Sequence, residues 1–459
     1  MTMRYRSTLL MAVILAGLAA YLYLVEFPAQ QQEQEQETQA KQLLPFAESA
    51  ITGVAMTTAQ GLVQLSKADA GEWVITAPLK TDADSREVQA LLRALATGAV
   101  SRTVADRSAP LAPFGLEQPI TTVTVTAGSQ QETLALGDSG PLSNTLYVLR
   151  GSDGKVLLTD LAPKDFINKS LMTFRRKEIL RFAQHEIDRL RLTYPSTEIV
   201  LYNMAGGKPK PSWKIRYPIE AEADQVEVRS LLFRLEDLKA LGIIDPGPER
   251  DAVAKALTAP KVKITIHTAA GDQTVRLYQP DPQSGEAIAE TIPEAPLYRV
   301  NPTFIKSFTK DLFDLQDKRL LGVDVEDVAM LSVKTRDRSY VLINQQGEWV
   351  LEDQPDRKLR QEIADLFVSR VANLPAEERV LKQATALAPY GLLEPKAEFV
   401  ATGKDGKIAG KLALGNLSGN LLYATGHRLQ GLFQVRPDIL TQIPSKAELL
   451  GDSQEPAPR

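Results

Sequence analysis

GEWVITAP at Gly71–Pro78, PSWKIRYP at Pro211–Pro218 and GEWVLEDQP at Gly347–Pro355 hold all three tryptophans of the chain, Trp73, Trp213 and Trp349. Their spacings are 140 and 136 residues. That is too long for a solenoid repeat and fits a small domain copied twice by duplication. The chain reads as three tandem related units.

The residues after the tryptophans repeat in register. Asp84 and Glu87 correspond at an offset of 140 to Asp224 and Glu227. The D-x-x-E spacing is that of a capping box, in which the aspartate accepts from first-turn amides and the glutamate reaches back. Val88, Leu91, Leu92 and Leu95 then match Val228, Leu231, Leu232 and Leu235. Positions i, i+3, i+4 and i+7 make one apolar stripe, which an amphipathic helix lays on a sheet. In the third unit the capping box is missing, Asp356 is the cap candidate, and the stripe is read as Ile363, Leu366, Phe367 and Val371.

A second signature lies downstream: PFGLEQP ending at Pro119, ALTAP ending at Pro260 and PYGLLEP ending at Pro395. Tryptophan to proline is 46, 47 and 46 residues. Gly115 and Gly391 occupy the first and third of these turns, whereas the second has Lys255 and Ala256 in place of the aromatic and the glycine. Each proline precedes an alternating stretch, with Val123 and Val125 matched by Ile264 and Ile266, as in half-buried antiparallel strands. The expected fold class is α+β. Each unit is a three-strand meander ending at the tryptophan, one amphipathic helix, a further antiparallel set and a short helix such as 164–170.

Residues 7–25 contain no charge, follow Arg4 and Arg6, and precede Glu26 and Pro28. At ~1.5 Å per residue this stretch covers roughly 28 Å, enough to span a hydrocarbon core. The arginines predict an N-in, C-out orientation. Gly17–Ala20 would suit a signal-peptidase site, but the apolar continuation Tyr21–Val25 favours an uncleaved anchor. The organisation expected is a cytoplasmic tip and transmembrane anchor at 1–28, a Gln/Glu-rich tether at 29–44, and repeat units at 45–181, 182–321 and 322–447. A disordered tail follows at 448–459.

The 459 residues are 44% hydrophobic and 24% charged, an ordinary globular composition for two or three domains. A formal charge of −4 without a basic stripe argues against a nucleic-acid partner. The absence of cysteine excludes disulfides, thiolate metal sites, a cysteine nucleophile and a lipid anchor on cysteine.

The W-x-I-x-x-P strand, the D-x-x-E helix start and the [FY]-G-L-x-x-P turn occur together and in order. In this the chain resembles the bacterial family called domain of unknown function 4340, over roughly Phe46 to Pro444. The resemblance implies a membrane-anchored, extracytoplasmic protein, often encoded beside gliding-motility-type ABC transport systems. It implies an auxiliary role and no particular chemistry.

No catalytic, cofactor-binding or metal-binding constellation is evident. Gly137-Asp138-Ser139-Gly140-Pro141 resembles the nucleophile loop of trypsin-like proteases, but no histidine precedes it as that arrangement requires. LALGDSGPLSNTLY around Ser139 also matches LALGNLSGNLLY around Ser418, which marks a repeated strand connection. His185, His267 and His427 are scattered without ligand spacing. Lys208, Lys210 and 175–177 read as solvated basic patches. The segment 279–297 stands out, because its counterparts before Tyr147 and Tyr423 are short. With Pro280, Pro282, Glu286, Glu290 and Glu294 it reads as a stiffened acidic loop and a candidate interaction element. The sequence thus points to a single-pass inner-membrane protein whose bulk is extracytoplasmic, a non-enzymatic scaffold with an ABC-type permease and ATPase complex as partner. The alternatives are a cell-envelope hydrolase and a ligand-binding sensor with a site between the units.

Overall fold

The computed structural model describes residues 41–452, apart from 70, 143, 167, 205–211, 280–284, 293–295 and 384–385. The expected membrane span and most of the tether lie outside the described residues. Among the described residues no helix is long and apolar enough to cross a membrane.

The first sheet contains β1 (Gly53–Thr58), β2 (Gly61–Lys67), β3 (Trp73–Ala77), β4 (Thr81–Asp82), β5 (Val100–Asp106), β6 (Thr121–Ala127), β7 (Gln130–Ser139), β8 (Leu146–Arg150) and β9 (Lys155–Thr159). Its order is β4-β3-β2-β1-β6-β7-β8-β9-β5. The tryptophan meander and the second antiparallel set are joined by β1 and β6, paired from Gly53↔Thr126 to Thr58↔Thr121. Between β4 and β5, on opposite edges, runs the helix Ser85–Thr97. Val88, Leu91, Leu92 and Leu95 are its buried residues, as the stripe predicts, in one core with Trp73, Val54, Val123 and Leu134.

The pattern recurs. Strands β10 (Arg189–Thr193), β11 (Glu198–Asn203), β12 (Trp213–Tyr217), β13 (Ala221–Glu222), β14 (Gly242–Ile244), β15 (Val262–Thr268), β16 (Gly271–Tyr278), β17 (Ala287–Ile292) and β18 (Leu297–Val300) belong to the second copy. There β13-β12-β11-β10-β15-β16-β17-β18 are neighbours in that order. The third copy has β19 (Val328–Thr335), β20 (Ser339–Gln345), β21 (Glu348–Leu351), β22 (Glu378–Leu381), β23 (Ala397–Gly403), β24 (Ile408–Ser418), β25 (Leu421–Gly426) and β26 (Leu432–Val435). Its order is β21-β20-β19-β23-β24-β25-β26-β22. The chain gathers into two compact units: one runs to Ile179 and includes Lys239–Ile244, the other takes Leu180–Leu238 and everything from Asp245 onward.

Helix starts follow the sequence in two copies and depart from it in the third. Asp84 accepts from the amides of Arg86 and Glu87, and Asp224 from those of Val226 and Glu227. The glutamates instead meet lysines, Lys169 Nζ at 3.4 Å from Glu87 and Lys310 Nζ at 2.7 Å from Glu227. In the third copy the N-cap is Arg360, not Asp356, and its buried residues include Ala364, Phe367, Val368 and Val371. Leu366 is 51% exposed. Of the expected stripe, Phe367 and Val371 are buried and Ile363 packs half-buried on the core, while Ala364 and Val368, not Leu366, complete it in the tryptophan register, with small Ala364 where the other copies have valine. Gln361 closes this helix start by accepting from the amide of Trp349 and donating to its carbonyl, as Gln225 does with Trp213.

Each copy opens with a short strap that no periodic pattern marks: KQLLPF from Lys41, KEILRF from Lys177 and KRLLGV from Lys318. Leu43, Leu44, Leu320 and Leu321 are at most 3% exposed. Gln42, Glu178 and Arg319 form isolated bridges with Ala99, Lys239 and Pro375. Leu43 and Leu44 therefore belong to the first core, not the tether. The short helix expected at 164–170 is a 3-10 turn at Pro163–Asp165, followed by a helix at Leu171–Phe174 that starts at Ser170. At the other end, Ser445 caps the helix Lys446–Leu450 and Leu449 is fully buried, so the fold extends past the expected boundary at 447. The S-x-x-E spacing of Ser445 and Glu448 marks this helix start in the sequence.

Candidate functional site

The repeat signature is architectural. Trp73, Trp213 and Trp349 are 5%, 2% and 1% exposed. Gly115 and Gly391 adopt φ 66° and 68°, and a Cβ on either would come within 2.5 Å of the side chain of Asp138 or Asn416. Gly137 and Gly415 in turn press against the carbonyls of Phe114 and Tyr390. The aromatic rings pack on Tyr147 and Tyr423 at 5.1 and 4.9 Å. The protease-like Gly137-Asp138-Ser139 is thus the seat of the Phe-Gly turn. Pro119, Pro260 and Pro395 lead into β6, β15 and β23.

The second copy replaces this lock. A helix, Pro248–Ala256, stands before Pro260, and Tyr278 occupies the position of Gly137 and Gly415. The Tyr278 hydroxyl donates to Glu290 at 2.9 Å, and Arg276 donates to the same carboxylate oxygen at 3.2 Å. Burial, then the bond to Glu290, raises the Tyr278 phenol above its ordinary range. The segment read as one acidic loop accordingly contains strand β17, hydrogen-bonded to β16 and β18. The prolines and Gly285 on either side mark a loop, and the weak alternation of AIAETI between them does not announce a strand. Glu286 takes both contacts of the Arg299 Nη1 at 3.0 Å. Pro280, Pro282 and Glu294 lie outside the described residues, as do Lys208 and Lys210.

Within the second compact unit a cleft of about 1200 Å³ opens between the second and third sheets. One wall comes from Tyr194–Thr197, the turn Pro218–Glu222 and the segment Thr309–Asp317; the other carries Arg379, Lys382, Arg428 and Gln430. The two sheets are welded at its base. Asp317, 13% exposed, accepts from Arg319 Nε and Nη2 at 2.9 and 2.8 Å, and lies 3.2 Å from Arg428 Nη1. Its amide donates to the Glu222 carbonyl at 2.9 Å. The bonds to Asp317 hold the Arg319 guanidinium far above its ordinary basicity. Gly322, at φ 69°, lets the Arg428 stem pass where a Cβ would stand. Phe313 stacks on Phe433 at 5.8 Å, and the Arg379 guanidinium lies 5.1 Å over the Phe313 ring.

The carboxylates lining the cleft are engaged. Glu220 pairs with Arg216 at 2.8 Å and Glu222 with Lys214 at 2.6 Å. Asp311 and Asp314 exchange backbone bonds, each accepting from the other's amide at 2.8 Å. Lys310 is taken by Glu227. Tyr194 donates to the Phe308 carbonyl at 2.8 Å and accepts from the Lys310 amide, and burial pushes its phenol up to about 12. By contrast Lys261, Arg379 and Lys382 have no carboxylate partner among the described residues. The lining residues come from six stretches distant in sequence, so no local motif could announce the site. Among the described residues no group of three histidine or acidic side chains is arranged to hold a metal.

No curated protein matches this chain. The family model described as Domain of unknown function (DUF4340) matches twice, over residues 73–260 and 213–395. Each match runs from the tryptophan of one copy to the signature proline of the next, Trp73 to Pro260 and Trp213 to Pro395. The chain belongs to this domain-of-unknown-function 4340 family.

Proposed function

We propose that the protein is a non-enzymatic interaction module, held at the outer face of the inner membrane by residues 7–25 and auxiliary to an ABC-type, gliding-motility-like transport complex. The anchor reading rests on the uncharged run behind Arg4 and Arg6. The observation that carries the module reading is the state of the cleft. A hydrolase would need a carboxylate pair at liberty to act as acid and base. Here Glu220, Glu222 and Asp317 are ion-paired, while Asp311 and Asp314 cap a helix turn. What remains is a shaped surface whose Lys261, Arg379 and Lys382 have no carboxylate partner among the described residues, suited to contact with another molecule.

The test is in-cell crosslinking of the tagged protein, followed by identification of captured subunits. Permease and ATPase subunits should be recovered, and lost when residues 7–25 are replaced by an unrelated span. Recovery of no transport subunit would overturn the proposal.

A further inference from the structure

We infer that the cleft in the second compact unit receives a carboxylate-bearing, partly apolar segment of the partner protein, with Lys261, Arg379 and Lys382 as its charge contacts. This deepens the interaction-module reading and rests on it. Charge accounting motivates the choice of occupant. Acidic and basic side chains line the cleft in equal number, five each. Yet every acid is already hydrogen-bonded or ion-paired within the fold, whereas three of the bases have no such partner among the described residues. The wall from the third sheet carries only cations and Gln430 among its polar groups. An incoming carboxylate there meets cations without a carboxylate partner among the described residues, and an incoming cation meets acids already paired or hydrogen-bonded within the fold.

The opposite wall supplies the apolar half. Ile219 is 40% exposed, and Pro195 and Pro218 lie beside it on the cleft lining. Arg379 is also pre-positioned, because its guanidinium rests on the Phe313 ring and is less free to wander than a solvated lysine. A segment with acidic residues flanking an aliphatic one would satisfy both walls at once.

The experiment uses the full chain in detergent micelles and a short fluorescein-labelled peptide of glutamates around a central leucine, followed by anisotropy. Arg379→Glu with Lys382→Glu, which alters side chains outside the cores, should weaken binding by about tenfold or more. Lys261→Glu gives an independent variant on the other sheet and should also weaken it. Lys404→Glu with Lys407→Glu, on an exposed hairpin of the third sheet, should leave binding unchanged; thermal unfolding checks that each variant is folded. The inference is overturned if the peptide does not bind, if a glutamine version binds equally, if millimolar inorganic phosphate displaces it, or if the hairpin variant weakens it as much. In cells, capture of transport subunits that survives Arg379→Glu with Lys382→Glu would refute the cleft assignment and leave the module reading standing. Absence of capture by the unaltered chain would refute the module reading itself.

Discussion

Removing the carboxylate of Asp317 would leave two partly buried guanidiniums, Arg319 and Arg428, without their shared acceptor. Breaking a buried pair costs about 3–5 kcal/mol, and the residual solvation of both arginines trims this to about 2 kcal/mol for Asp317→Ala. Urea unfolding followed by tryptophan fluorescence should show that loss; a change within about 0.5 kcal/mol would contradict the weld. Tyr194 gives a pH signature. Its phenol stays neutral in the fold up to about 12, whereas an unfolded tyrosine ionises near its ordinary value of 10.0. Above that ordinary value the unfolded state binds fewer protons, so the stabilisation present below it is lost as pH rises through this window. Tyr194→Phe should make the alkaline decline shallower, while leaving the Lys310 amide unsatisfied at neutral pH. An unchanged alkaline slope would remove Tyr194 from the account. Glu132 offers a third test. It is 1% exposed, one oxygen accepts from the amides of Thr133 and Ser152, and the other has no partner among the described residues. The second copy has Gln273 there, bonded to both the amide and the carbonyl of Arg181, where the first copy has Pro45 and no amide hydrogen. Glu132→Gln should therefore stabilise the first compact unit by about 1 kcal/mol. A destabilised variant would show that the charge is needed.

The three long helices show how far local pattern carries and where it stops. In the first two copies a valine–leucine stripe and an aspartate cap were readable because each position holds a residue that states its role. In the third copy Ala364 replaces valine and Arg360 replaces aspartate, so composition pointed to neighbours and only the tryptophan offset kept the true register. Asp84→Ala and Asp224→Ala should each cost about 1 kcal/mol, while Asp356→Ala should cost nothing measurable. A loss from Asp356→Ala equal to the other two would restore the discarded cap. The straps were illegible for a different reason. K-x-[LI]-L is too short for a periodic signal, and its burial depends on a partner nearly sixty residues on, as in Gln42 with Ala99.

For the chain as a whole, triplication and the antiparallel α+β character were legible, since duplication preserves spacing and strand alternation is local. Sheet order was not: the helix that links β4 to β5 crosses from one edge to the other, and nothing in either strand records its neighbour. The cleft was hidden in the same way, assembled from turns that become adjacent only when two copies pack. The proposed placement of these copies outside the cytoplasm, on a chain anchored at its N-terminus, is directly measurable, because the sequence has no cysteine and an introduced thiol stands alone. With Lys404→Cys, a membrane-impermeant maleimide should label intact spheroplasts, while Thr2→Cys should be labelled only after permeabilisation. Labelling of Thr2→Cys alone in intact spheroplasts, or of Lys404→Cys only after lysis, would contradict the account.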